Sequence, residues 1–511
     1  MPKKQLLLPK DRFFSYYQRH RQALTYNEVR LETMNSNVNP ADANVTSFFS
    51  RNIPVNIPII SAAMDTVTGF KMGIAIAKEG GLGIIHRNFE PDEQVEQVKR
   101  VKLHMGGRVA KPICVRAEQS VGEIIAWRDE NRIMKGWGFS SFPVLNAQNR
   151  VIGLITQTDF DFCTNRAKTA RDIMTPFKDL VAASPKTTLR GAYRIMQKAR
   201  KKILLLIGKN HTLAGMYVWI DVERLINGSS AIFNVDSAGH LRIGAAIGTG
   251  ANEIERAEML IAAKCDVLVL DTAHGDSGNV YDMLRTLKRR YPEVDIVAGN
   301  VTEAASAKRL VKAGADGVKV GQGPGSICKT RTVAGVGCPQ ATAVYQCAKA
   351  IRGSGVPVCA DGGINEEGDI PIAIGLGAHT VMLGRLLAGT TESPGLVQDT
   401  PKGRYKMYRG MGSISAMRES SASRQRYRQG KDMRKLVAEG VESIVPYVGD
   451  LTDVLVKMVG GLRAGMGYVG APTIAMLQER ANFHAMSVAG YTESAPHDIT
   501  IIDPSSTDRW R

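Results

Sequence analysis

The feature that most restricts what this chain can become is a repeated unit. A helical stretch closes near a glycine or polar residue, and a short apolar strand follows. The instances are AKEGGLGIIH (77–86), AAKCDVLVLD (262–271), KAGADGVKVG (312–321) and GLGAHTVMLG (375–384). Gly80, Gly314 and Gly377 stand at the helix C′ position, which asks for positive φ. The strands are continuous apolar runs, the pattern of strands covered on both faces. IPIISAA (57–63), IGAAIG (243–248), DIVAGNV (295–301) and PVCADGG (357–363) supply further strands. The segments between the later strands read as helices. ANEIERAEMLIAAK places Ile254, Ala257 and Ile261 on one face, and VTEAASAKRLVKAG can open with Thr302 as N-cap. Eight buried strands alternating with helices predict an α/β fold, a (β/α)8 TIM barrel, with a doubly wound open sheet as the alternative. Several strands end in Gly, Asp, Asn or Cys. That favours the barrel, whose sites lie at the C-terminal ends of its strands.

The second strand ends near residue 86 and the third begins near 243, far more chain than one helix and its loops require. A domain is therefore inserted at 109–227, between barrel segments 1–108 and 228–511. It contains two related halves, FPVLNAQNRVIGLITQTDF (142–160) and ILLLIGKNHTLAGMYVWIDVER (203–224), divided by RDIMTP (171–176). The repeat and its Met-Thr-Pro element resemble a tandem CBS (Bateman) module.

Lys and Arg number 66 against 49 Asp and Glu, a formal charge of +17. The excess is spread along the chain and not gathered into a tail, which speaks against a specific nucleic-acid partner and suits an anionic phosphate ligand. No uncharged apolar run approaches the ~18–20 residues of a membrane span. MPKKQLLLPKDRFF has too short an apolar core for a secretory signal. Seven cysteines, none in CxxC spacing, argue against a disulfide scaffold or a structural zinc site. The expectation is a soluble protein of a reducing, cytoplasmic compartment.

The sharpest segment is GQGPGSICKTRTVAGVGCPQ (321–340). Gly321, Gly323 and Gly325 let backbone approach a ligand closely, and Ser326 and Cys328 then sit on a loop after the sixth strand. Cys328 is either a nucleophile or a buried structural thiol. The second reading suits Cys265 and Cys359, which lie inside strands. Lys329 and Arg331 are near enough in sequence to favour a thiolate. The only strict GxGxxG, Gly465 to Gly470, follows the amphipathic VLVKMVGGLRA and not a strand, so it is not a Rossmann site.

This loop resembles the catalytic loop of the IMP dehydrogenase / GMP reductase family. Further matches are SAAMDTVT (61–68), GLGIIHRN (81–88), LVLDTAHG (268–275), VAGNV (297–301), ADGGI (360–364), YRGMGS (408–413) and GGLRAGMGY (460–468). The resemblance implies NAD-dependent oxidation of IMP to XMP, the committed step of guanine nucleotide synthesis. Cys328 is the implied thiolate that adds to C2 of the purine, and Thr330 the implied orienter of the hydrolytic water. Asp361 is expected on the ribose hydroxyls. Ser326, the amides of Gly363 and Gly384, and the Tyr408 hydroxyl are expected on the phosphate. Gly410, Met411, Gly412 and Glu439 are expected around the purine. Arg385 stands where many family members carry Ser; it either reaches the phosphate or points away. Asp271, Thr272, Asn300, Gly321 and Gly323 are the implied cofactor residues. His274 either contacts the dinucleotide or meets solvent.

Residues 401–450 form a long polar segment that reads as a disordered surface loop on its own. In the family this region is a mobile flap that enters the vacated NAD site, and Arg426-Tyr427 matches its water-activating pair. The resemblance also implies K⁺, held by carbonyls of Gly323, Gly325 and Cys328 with Glu493, Ser494 and Ala495 of a neighbouring subunit. It implies a homotetramer or octamer, and adenine or guanine nucleotides on the CBS pair at Asp159 and Asp221. Two alternatives stand. One is GMP reductase, the opposite chemistry with NADPH; the other is a nucleotide sensor on a dead barrel. Arg426-Tyr427 and ESAPHDITI (493–501) favour the dehydrogenase, and intact Cys328, Asp361 and Tyr408 oppose the dead barrel.

Overall fold

A computed structural model of the chain describes residues 7–104, 108–109, 112–135, 141–226, 232–430, 432–497 and 499. The contacts divide it into two compact units. One is Met1–His104 with Ile232–Arg511; the other is Met105–Ala231.

The first unit is a closed parallel barrel. Its strands in chain order are β1 (Ile59–Ser61), β2 (Leu82–Ile85), β3 (Ile243–Ile247), β4 (Val267–Asp271), β5 (Asp295–Val301), β6 (Gly317–Val320), β7 (Val358–Asp361) and β8 (Thr380–Leu383). β8 pairs in parallel with β1, Val381 opposite Ile59, and this pairing closes the ring. The predicted barrel is therefore observed, and the open sheet is excluded. Ile60, Leu82, Ile84, Ala246, Val267, Val269, Val297 and Cys359 pack as one buried core. Burying such side chains contributes about 1.5–3 kcal/mol each. Gly314 ends the Ala304–Ala313 helix in the left-handed region at φ +104°, and Gly80 and Gly377 also take positive φ.

Three local expectations are corrected. The helix Ala251–Ala262 buries Glu253, Arg256, Ala257 and Leu260, so its inner face is turned away from Ile254 and Ile261. Two charged residues face inward because Arg256 donates to the Phe89 carbonyl and to Gln94, and Glu253 accepts from the Gly248 amide. The N-cap of Ala304–Ala313 is Glu303 and not Thr302. The Thr302 hydroxyl instead donates towards Gln322, 3.3 Å away. Residues 401–450 are not a structureless loop. Strands Gln398–Thr400, Gly403–Arg409 and Glu442–Pro446 form a three-stranded sheet. Helices Ile414–Glu419 and Ser421–Arg426 lie between the last two strands.

In the second unit each half builds a four-stranded sheet with crossed contributions. Arg108–Val109, at the start, pairs with Leu213–Val218 of the second half. Thr175–Pro176, between the halves, pairs with Val151–Thr156 of the first. Asp159 and Asp221 occupy first turns of equivalent helices, Gln157–Asp161 and Trp219–Ile226. The Asp159 carboxylate accepts from the Thr156 amide at 2.7 Å and closes a capping box. Among the described residues no helix is long and apolar enough to cross a membrane, and no group of three or more His, Cys, Asp or Glu stands ready for a metal ion.

Candidate active site

The ends of β4 to β8 converge on one pocket. It is lined by residues that include Thr272, Asn300, Gly321, Gly323, Gly325, Ser326, Cys328, Thr330, Asp361, Gly363, Gly384, Arg385, Tyr408, Gly410, Met411, Arg426, Tyr427 and Glu439. The structure thus brings together most of the residues singled out in the sequence. Gly412 supports the wall without lining it. A side chain there would meet the Tyr427 ring at 2.7 Å, so only glycine lets that ring lie flat against the turn.

The loop after β6 is held from both sides. Arg331 donates to the Gln322 carbonyl at 2.9 Å and to the Cys338 carbonyl. Its hydrogen bonds clamp the loop. Lys329 is exposed, and its amide donates to the Glu439 carbonyl at 2.7 Å, while the Val441 amide donates to the Ile327 carbonyl at 3.0 Å. The return of segment 401–450 therefore bridges the backbone on either side of Cys328. The Cys328 thiol lies 3.3 Å from the Thr330 hydroxyl, which donates to Glu439 Oε2 at 2.7 Å. Thiol, hydroxyl and carboxylate form a chain along which a proton can leave or arrive.

At the phosphate end, Tyr408 is buried, with its hydroxyl facing Ser326. Burial pushes the phenol up to about 12, so it serves as a neutral donor. Arg385 lines the pocket, and its guanidinium donates to the Asn365 carbonyl at 3.2 Å. The buried cysteines read as structural are so: burial pushes Cys265 and Cys359 up to about 12.

The sequence reading missed Lys319. It is 2 % exposed inside β6. Its ammonium donates to Asp271 at 3.1 Å, to Asp361 at 2.6 Å and to Asn300 Oδ1. The signal was present, because a lysine inside the apolar run GVKV must be paired if the strand is buried on both faces. Asn300 also donates to Asp361, at 2.8 Å. Asp271 does not open directly into the pocket. It lies 2 % exposed beneath Arg426, whose guanidinium forms an ion pair with it.

Also unforeseen is the anchorage of the helix Ser421–Arg426. Ser423 donates to Asn88 at 3.0 Å, and Arg87 donates to Gln425 at 2.7 Å. Asn88 in turn donates to Asp65, which pairs with Arg409. His274 meets Gln322 at 3.3 Å. Ser494 and Ala495 line a different cavity, beside Arg30 and Asp369. The ESAPHDITI segment runs into positions outside the described residues.

The family model of the IMP dehydrogenase / GMP reductase domain matches residues 23–497. The chain is 43% identical to inosine-5′-monophosphate dehydrogenase of Halalkalibacterium halodurans, over 94% of this chain and 97% of that protein. It is 44% identical to the enzyme of that name from Aquifex aeolicus, over 94% and 96%. Among solved structures, a cysteine-to-alanine variant of Trypanosoma brucei GMP reductase in complex with guanosine 5′-monophosphate superposes with TM-score 0.86. Its identity is 37%, covering 94% of this chain and 98% of that one.

Proposed function

This chain belongs to the IMP dehydrogenase / GMP reductase family, and we propose that within it the chain oxidises IMP to XMP with NAD⁺. One observation carries the choice of direction. Arg426 and Tyr427, the pair expected to activate water, lie in the same pocket as Cys328 and its Thr330–Glu439 proton path. A deaminating reductase has no need of an activated water.

On this reading Ser326, Tyr408, Arg385 and the amides of Gly363 and Gly384 take the 5′-phosphate, and Asp361 takes the ribose hydroxyls by charge-assisted hydrogen bonds. Cys328 adds to C2 of the hypoxanthine ring, its proton passing to Thr330 and Glu439. C2 then gives up a hydride, leaving a thioimidate that splits one difficult step into two. The donor set at the mouth fits a nicotinamide nucleotide, since Asp271 already holds a cation, Arg426, where the positively charged ring end would come. NAD⁺ supplies the hydride acceptor. Arg426 then orients the water that releases XMP. Deprotonating a guanidinium of pKa about 12.5 at pH 7 costs roughly 7 kcal/mol, so Arg426 works as a hydrogen-bond donor in a closed site, with Glu439 as the relay.

K⁺ belongs to the same reading. Gly323 and Cys328 leave neutral carbonyls beside the loop, a donor type suited to a weakly hydrated cation. The Gly325 carbonyl already accepts from the Cys328 amide at 2.9 Å. The remaining ligands come from Glu493–Ala495 of a second subunit in a homotetramer or octamer. The inserted unit takes adenine or guanine nucleotides at Asp159 and Asp221, and the protein works in the cytoplasm. Purified protein given IMP and NAD⁺ should produce NADH. The same protein given GMP and NADPH should not consume it. Activity in the second tube alone would reverse the direction proposed, and silence in both would make the barrel a sensor. Equal turnover in K⁺ and Li⁺ would remove the cation from the reading.

A further inference from the structure

The floor of the pocket carries an unbalanced charge. Two carboxylates, Asp271 and Asp361, share one ammonium, Lys319, at 3.1 and 2.6 Å. Asp271 and Lys319 are almost wholly enclosed, with side chains 3 % and 2 % exposed, and Asp361 is 21 % exposed. The neighbouring charges do not alter the sum. Arg87 and Arg256 share one carboxylate, Glu253, at 3.9 and 3.4 Å, which leaves one positive charge, and Glu439, whose partner is the neutral Thr330 hydroxyl, carries the one negative charge that offsets it. Without Arg426 the floor therefore holds one net negative charge in a poorly hydrated setting. With Arg426 on Asp271 it is neutral.

We propose that this three-residue floor is a cation-exchange site that selects the redox state of the dinucleotide, with Lys319 as the positioning residue that sets its charge. The inference rests on the functional reading above, which brings the nicotinamide ring to Asp271. An oxidised ring is a cation and neutralises the floor. When the hydride arrives, C2 of the substrate loses it, the ring becomes a neutral dihydropyridine, and the floor regains its unmatched charge. Arg426 is the cation tethered nearest. Its entry restores neutrality and leaves the reduced dinucleotide with no electrostatic hold. Charge, and not shape alone, then makes the exchange of reduced cofactor for Arg426 favourable after hydride transfer and unfavourable before it. Lys319 keeps the deficit at one charge, so that one cation enters at a time. It also holds the Asp361 carboxylate on the substrate side.

The test is binding, read by calorimetry on the full-length protein without IMP, so that nothing turns over. Wild type should bind NAD⁺ more tightly than NADH by roughly tenfold or more, as expected for one opposite charge in a partly desolvated site. Asp271→Asn removes the charge and keeps the shape, and the preference should fall to within about twofold. If Asp271 acted only as a hydrogen-bond partner of the ribose, which both forms carry, both affinities would drop together and the ratio would survive. Arg426→Gln removes the competing cation, so both forms should bind more tightly by the same factor. A wild-type ratio near one, a ratio kept in Asp271→Asn, or unchanged affinities in Arg426→Gln would each overturn the proposal. Equal binding of both forms to wild type sinks the charge argument and leaves the functional reading standing. Failure of both to bind sinks the two together.

Discussion

The barrel buries a lysine at each end, and the two are held in opposite ways. At the mouth, Lys319 lies between two carboxylates. At the foot, the Lys10 ammonium donates to the backbone carbonyls of Gly375, at 2.5 Å, and of Gln478. The adjacent carboxylate, Asp11, is taken by Arg352 and Tyr345. Desolvation, aided by Arg352, brings Lys10 down to about 7. The foot can thus give up its proton near neutrality and keep its packing, because neutral carbonyls do not demand a cation. At the mouth the ammonium separates two carboxylates, which would face each other unpaired without it. The difference separates a charge that anchors the N-terminal helix Pro9–Arg19 from one that holds two carboxylates together at the pocket.

The largest test of this contrast is a pair of substitutions. Lys319→Met should lower turnover by a hundredfold or more and destabilise the fold by about 3–5 kcal/mol, the cost of removing one partner of a buried ion pair. Lys319→Arg should recover much of the activity. Lys10→Met should leave turnover within about twofold. Steady-state kinetics with denaturant unfolding would show it, and equal losses at the two ends would erase the distinction.

Next comes Arg426, the second cation of the mouth. Arg426→Ala should spare the first turnover and slow the rest by about 100-fold, giving a burst of NADH and a purine adduct on the peptide that contains Cys328. Loss of the burst would place Arg426 before hydride transfer.

Acid should act through one buried histidine at each end. His86 follows β2, is 3 % exposed and is brought down to about 4 by desolvation. A histidine whose folded pKa lies below 6.5 binds fewer protons folded than unfolded. Its stabilisation is complete above pH 6.5 and lost as pH falls towards 4, on the order of 3 kcal/mol. Asp11 is held down at about 2 despite its burial, chiefly by Arg352. Its contribution persists until pH drops below 3.8. Desolvation, with Lys10, likewise brings His379 at the foot down to about 4, so hydrogen exchange between pH 7 and 4 should rise first around 86–89, 421–426 and 379, and only later at 9–19. The reverse order would contradict the assignment.

In the alkaline direction the foot responds. Between about pH 7 and 10.5 unfolded Lys10 holds a proton that folded Lys10 has lost, so stability rises with pH by up to about 1.4 kcal/mol per unit. Lys10→Met should flatten that rise in thermal unfolding curves. The smallest effect belongs to the inserted unit. Replacing 109–227 by a short linker should leave basal turnover unchanged and abolish any response to adenine or guanine nucleotides.

Much of this architecture can be read from one dimension, because its causes are local. Apolar runs of strand length, each preceded by a helix and a glycine, specify β2, β4, β6 and β8, and a barrel follows from eight such strands. The loop carrying Ser326 and Cys328 is equally legible, since residue type and neighbours mark it. The errors were also local. The inner face of Ala251–Ala262 was misread because apolar spacing alone ignores buried ion pairs such as Arg256 with Glu253.

The chain's order of residues by itself determined the strand–helix alternation and placed Ser326, Cys328 and Thr330 on one loop after the sixth strand. Each follows from periodicity or chemistry within about twenty residues. Only the tertiary structure decided that Lys319 meets both Asp271 and Asp361, that Arg426 covers Asp271, and that Glu439 completes the path from Cys328. It also decided that Arg108–Val109 pairs with the far half of the inserted unit while Thr175–Pro176 pairs with the first. The site contacts join residues far apart in sequence, 42 positions from Lys319 to Asp361 and 109 from Thr330 to Glu439. They arise because closing a sheet brings the ends of all its strands to one rim, and no local pattern encodes which side chains then find each other.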